Sequence, residues 1–175
     1  AREFPKISQP APADFQNVFE RLKHKGRILC LTLTSGLSGT NNSANLASQN
    51  TDAGITVYDT QQGTFGQGFQ VLLAAEMANK GHSLSEILTS LNEYREQSNI
   101  YVAMETLDNA IKGGRINKAQ GTIAKALNIK AIIEVKNGDV NVYDKVRGSD
   151  RTFKRMLEIL AEKKRDFSQM IIGIA

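Results

Sequence analysis

The chain has 175 residues, 41% of them hydrophobic and 23% charged, with a formal net charge of +4, a composition ordinary for a globular protein of one medium domain or two small ones. A single cysteine, Cys30, excludes an internal disulfide, and with only two histidines, His24 and His82, a soft-metal site is not expected. No apolar run approaches the roughly 20 residues a membrane span needs, and the start Ala1-Arg2-Glu3-Phe4-Pro5 has no signal-peptide pattern, so a cytoplasmic protein is expected.

Asp14 is placed to cap a helix over Phe15–Lys25, where Phe15, Val18, Phe19 and Leu22 fall at helical spacing and Gly26 marks the end. Arg27–Leu33 reads as a buried strand. A turn of Ser, Gly and Thr follows, and then a helix over Asn41–Gln49. Ile55–Tyr58 reads as a second strand closed by Asp59. Gly66–Lys80 is an apolar helix ended by Gly81. Ser83, with Glu86 three residues on, forms a capping box for a helix that runs to Gln97. This alternation of strand and helix predicts a parallel sheet covered by helices.

The second part reads differently. Asn99–Met104 is a strand, Thr106–Lys112 a short helix broken by Gly113-Gly114, and Ile116–Leu127 a further helix. Ile129–Val135 and Val140–Val146 are strands joined by Lys136-Asn137-Gly138-Asp139, whose Asn-Gly pair supplies the positive φ of a tight hairpin turn. Arg151–Lys164 is an amphipathic helix and Met170–Ala175 a last strand. The fold class read from these elements is α/β: a Rossmann-like parallel-sheet domain over residues 1–98, and an α+β domain with antiparallel pairing over 99–175. Charges are mixed along the chain and the densest basic run, Glu162-Lys163-Lys164-Arg165, reads as a solvated helix end, so nucleic acid is not the expected partner.

Several short segments could carry chemistry. Ser35-Gly36-Leu37-Ser38-Gly39-Thr40 lies between a strand and a helix. Its glycines let the backbone approach a ligand, and its hydroxyls with the amides of the helix start suit a carboxylate or oxyanion. The same residues equally fit a plain strand–helix turn with Thr40 or a nearby serine as N-cap. Ser38 as a nucleophile lacks a base nearby in sequence. Lys112-Gly113-Gly114-Arg115-Ile116 aims a planar cation that could pair with a carboxylate or phosphate, or simply ends a helix with a solvated arginine. Arg147 follows the second hairpin strand, near a sheet end, and is otherwise an ordinary surface arginine. Asp59 could bind a metal or orient a hydroxyl, but is better placed to hold the turn leading to Gly63-Thr64-Phe65-Gly66-Gln67-Gly68 through side-chain to backbone hydrogen bonds. That glycine spacing is not a dinucleotide fingerprint.

In order along the chain, Ser8-Gln9-Pro10, Ser35 to Thr40, Val57-Tyr58-Asp59-Thr60, Lys112 to Ile116, Asn128-Ile129-Lys130 and Arg147 resemble the motifs of the DegV family. The resemblance covers nearly the whole sequence. It implies a protein that binds a long-chain fatty acid between two domains and presents the carboxylate to a separate ATP-binding kinase subunit for acyl-phosphate formation, without a cofactor of its own. It further implies that Ser38, Gly39, Thr40 and Ser8 contact the carboxylate, that Arg115 supplies charge near it, and that Arg147 meets the kinase. Two residues depart from the family pattern: Ile7 where a threonine is usual and Ala131 where a proline is common. Family chains also extend further at both ends, so this polypeptide is expected to be a central fragment whose first sheet wants a further strand. The competing reading is a stand-alone hydrolase or phosphotransferase using Ser38 or Asp59, which the sequence equips with no general base, metal cluster or phosphate loop.

Overall fold

The computed structural model describes residues 6–52, 54–116, 129–163 and 170–174. The chain divides into two compact units, residues 1–98 with 137–139, and residues 99–136 with 140–175.

In the first unit the order is α1 (Pro12–Leu22), a 3-10 turn (Lys23–Lys25), β1 (Ile28–Thr32), α2 (Thr40–Gln49), β2 (Ile55–Asp59), α3 (Thr64–Asn79) and α4 (Leu84–Gln97). β1 and β2 pair in parallel, Ile28 opposite Ile55 through Thr32 opposite Asp59. Parallel strands need both faces covered. Leu29, Leu31 and Tyr58 pack with Ala74 and Met77 of α3 and Ile87, Leu88 and Leu91 of α4. α2 lies against both strands and α1 lies on α2, with Phe19, Ala44 and Ala47 buried. Ser83 caps α4 as its spacing predicts, its hydroxyl accepting from the Glu86 amide while the Glu86 carboxylate accepts from the Ser83 amide. The Ser83 hydroxyl and amide, both donating to the Glu86 carboxylate, hold that carboxyl below its usual pKa. The start of α1 differs from expectation. Ala11 is the N-cap, and Asp14 sits a turn inside, where its carboxylate accepts from the Ala11 amide at 2.9 Å. Pro12 at the first helical position moves the start forward, because its fixed φ is already helical and it has no amide to satisfy.

In the second unit β3 (Ile100–Met104), α5 (Asp108–Lys112), β4 (Ile129–Lys136), β5 (Asp139–Arg147) and α6 (Ser149–Lys163) follow in order. The strands form one sheet in the order β3-β4-β5, with β3 and β4 antiparallel and Met104 opposite Ala131. Asn137 and Gly138 take φ values of 51° and 85°, as a tight Asn-Gly turn requires. The period of 2 along β4 divides its side chains between two faces. Ala131 and Ile133 join Leu107 and Ile116 in one cluster, with Met104, Val140 and Val142 against it. Lys130, Ile132 and Glu134 point to the other face, where α6 packs and Ile132 and Ile159 are fully buried. α6 begins two residues earlier than its periodicity predicts. Gly148, at φ 87°, turns the chain out of β5, and its carbonyl accepts from both the amide and the hydroxyl of Thr152. The strand expected over 170–175 is not formed: residues 170–174 make no strand pairing, and apolar patterning alone does not supply a neighbour to pair with. The helix expected over Ile116–Leu127 lies outside the described residues beyond Ile116.

The two sheets, one parallel and one antiparallel, are the α/β architecture expected from the order of elements.

Candidate functional site

The two strands of the first unit end side by side, so the loops that follow them share one end of the sheet. Asp59 joins these loops. Its carboxylate accepts from the Ser35 amide at 3.1 Å and from the Gln61 amide at 2.8 Å. Both bonds match the turn-holding role open to it in the sequence. Around it lies a set of buried polar residues. Thr32, Thr34, Thr60, Gln62 and Gln70 are all at most 3% exposed. Thr60 donates its hydroxyl to the Thr32 carbonyl at 2.7 Å, and Gln70 donates its amide to the Thr60 carbonyl at 3.1 Å. A short polar ladder thus fixes the exit of β2. On the other side Tyr58 donates its hydroxyl to Asn92 at 3.0 Å, and Arg95 lies over the Tyr58 ring at 5.5 Å. Burial pushes the Tyr58 phenol up.

On this frame sits the Ser35–Thr40 loop. Gly39 is the N-cap of α2 and Thr40 its first residue, so the cap is the glycine rather than a hydroxyl side chain. The Ser38 and Thr40 hydroxyls lie 2.8 Å apart, and Ser38 Oγ also accepts from the Thr40 amide at 3.3 Å. Both side chains are half-buried. The result is a pair of hydroxyls beside the opening amides of a helix, where the macrodipole favours a negative charge. Gly39 lies against the flexible side chain of Gln9. A Cβ there would meet the carboxamide of Gln9 at 2.8 Å. The Ser8-Gln9-Pro10 segment therefore lies on the Ser38 loop. Ser8 itself is exposed. Gln9 is the neighbour of this loop that sequence reasoning passed over, and its position inside a recognisable segment was the available signal.

Beside the same sheet end, α3 carries apolar side chains on all sides. Phe65, Phe69, Val71 and Leu72, all on this one helix, present an open apolar face. Phe65 is 44% exposed and Leu72 66%, an unusual exposure for one contiguous face. Thr64 opens the helix at φ 45°, a left-handed value that strains a β-branched residue.

The other two candidate residues belong to the second unit. Arg115 is half-buried and donates to the Gly113 carbonyl at 2.5 Å, so its guanidinium closes over its own Gly-Gly turn. Arg147 is exposed at the end of β5. With Gly148, Ser149, Asp150 and Arg151 it forms an open polar surface. The structure thus brings Ser38, Gly39 and Thr40 together, with Gln9 of the Ser8 segment against them, and puts both arginines on the other unit.

Among the described residues no group of three or more His, Cys, Asp or Glu side chains could hold a metal ion, and no helix is long and apolar enough to cross a membrane. Burial pushes the Cys30 thiol up, which lowers its reactivity.

Comparison with known proteins gives the family. A DegV domain-containing protein of Listeria innocua is 38% identical over 171 residues, a stretch that takes in 97% of this chain and 61% of the relative. A fatty-acid-binding DegV family protein of Thermus thermophilus superposes with a TM-score of 0.84 at 33% identity, covering 92% of this chain and 58% of that one. A DegV lipid-binding protein of Thermotoga maritima gives a TM-score of 0.82 at 31% identity, covering 95% and 58%. The chain thus spans less than two thirds of the length of these relatives. The profile of a family described as uncharacterised protein, DegV family, matches residues 1–175, and this chain belongs to the DegV family.

Proposed function

We propose that this chain binds a long-chain fatty acid and presents its carboxylate to an ATP-binding kinase subunit in the cytoplasm, without catalysing a reaction itself. The observation that carries the reading is the Ser38–Thr40 hydroxyl pair, 2.8 Å apart at the opening of α2. A carboxylate needs several donors in a small space, and two hydroxyls with helix-start amides supply them. The exposed apolar face of α3 begins at the same end of the sheet and is the kind of surface an acyl chain would cover. The fatty-acid-binding relative from Thermus thermophilus supports the ligand class. In this reading Ser8 and Gly39 complete the contacts around the carboxylate and Arg115 is its cation. Residues 1–98 and 99–175 are its two domains. Arg147 is the contact for the kinase, a role that its exposure supports.

The test is native mass spectrometry of the purified protein, followed by oleate titration of Ser38→Ala. A retained acyl chain is expected. The substitution is expected to weaken oleate binding by about tenfold or more, the effect of losing a hydrogen bond to a charged group worth about 1.5–3 kcal/mol. Oleate affinity unchanged in Ser38→Ala, with the circular dichroism spectrum intact, would remove the hydroxyl pair from the site.

A further inference from the structure

Lys130 is a lysine where the packing asks for none. It lies on β4, its side chain only 10% exposed, on the face that α6 covers. Its ammonium donates to the carboxylate of Glu105, beyond the end of β3, and to the Ser149 hydroxyl at 2.7 Å. Each of these partners is solvated: the Glu105 side chain is 82% exposed and Ser149 is exposed. Removing the lysine would therefore strand no buried polar group. An apolar residue of similar length commonly replaces a buried charged one at little or no cost in stability. Stability is thus a poor explanation for a cation at this position.

Geometry is a better one. Ser149 opens α6, two residues after Arg147, and the chain between them turns through Gly148 at φ 87°. On its helical side the turn is tied down by the Thr152 amide and hydroxyl, both donating to the Gly148 carbonyl at 3.1 and 2.8 Å. On its sheet side it is tied to β4 by the bond from Lys130. A rigid strand therefore reaches through one side chain to the turn that carries the exposed Arg147. From this arrangement we infer that Lys130 is a positioning residue, which sets the direction in which Arg147 meets the kinase. The inference rests on the proposed role of Arg147.

The experiment compares Lys130→Met, Ser149→Ala and Arg147→Ala with the parent chain. It measures acyl-phosphate formation with oleate, ATP and the purified kinase subunit, together with oleate affinity and amide exchange over residues 147–152. Lys130→Met is expected to raise the KM for the oleate-loaded protein about tenfold, equivalent to about 1.4 kcal/mol, with kcat and oleate affinity unchanged. Amide exchange over the turn is expected to quicken, and Ser149→Ala to shift KM in the same direction. Adding Lys130→Met to Arg147→Ala is expected to cost nothing further, because the two act as one unit. If Arg147→Ala raises KM while Lys130→Met and Ser149→Ala leave both KM and exchange unchanged, the positioning role is overturned and the Arg147 contact stands. If Arg147→Ala itself has no effect, the contact and the inference fall together. Ser149→Ala, at an exposed position, decides the question if Lys130→Met does not fold.

Discussion

Single residues at the exit of β2 are held more tightly than their loop setting requires. Asp59 satisfies two backbone amides, one in each strand-end loop. Asp59→Ala is expected to lower unfolding stability by about 2 kcal/mol, because charge-assisted hydrogen bonds are worth about 1.5–3 kcal/mol. It should also loosen the Ser38 loop, and urea unfolding with amide exchange over residues 34–40 measures both effects. Thr64 has the opposite character. Its left-handed φ costs a β-branched residue about 1–2 kcal/mol that glycine would not incur, so Thr64→Gly is expected to raise the unfolding midpoint; a lower midpoint would show that α3 needs the threonine. The role of Asp59 was legible because an aspartate at a strand end lies within reach of the backbone amides of the turn that follows. The strain at Thr64 was not, because Gly63 stands next to it and composition does not say which of the two adopts the positive φ.

At the scale of elements, the parts with a strong local signal follow the sequence. The Ser83–Glu86 box starts α4, and the Asn137-Gly138 turn sets the hairpin, because each is decided within a few residues. What failed needed a partner distant in sequence. Residues 170–174 have a strand's composition and no strand to pair with among the described residues. α6 shows a further long-range device. Arg155 donates to Asp144 on β5 and to Glu162 about two turns along the helix, each at 2.7 Å. The hydrogen bond from Arg155 holds the Asp144 carboxyl below the ordinary aspartate value. A carboxyl whose pKa is depressed on folding stabilises the fold above its unfolded pKa of about 3.9, and loses that contribution as pH falls through the folded value. The parent chain is therefore expected to lose thermal stability relative to Asp144→Asn between neutral pH and pH 3. Parallel melting curves across that range would reveal a constant difference if the bond contributes nothing.

Each of the two units has its own apolar cluster; Leu91 is fully buried in that of the first, and Ile132 is fully buried in the second unit on the other face of β4. Leu91→Ala and Ile132→Ala are each expected to cost about 2–5 kcal/mol, the usual range for removing a large buried aliphatic side chain. Each loss should be read most strongly in the amide exchange of its own unit. What the sequence left open was how its candidate residues are distributed in space, because Ser38 and Arg147 owe their settings to different sheets. The exposed flank of α3 has one more consequence. An aliphatic tail lying along Phe65, Phe69 and Leu72 would be recognised by length rather than by shape, since every methylene withdrawn from water adds about 0.8 kcal/mol, close to fourfold in affinity. On the proposed reading this face works as a ruler. Affinity for saturated acids should climb by that factor with each carbon and then level off, and the carbon number at the plateau would measure how much of the tail the protein covers.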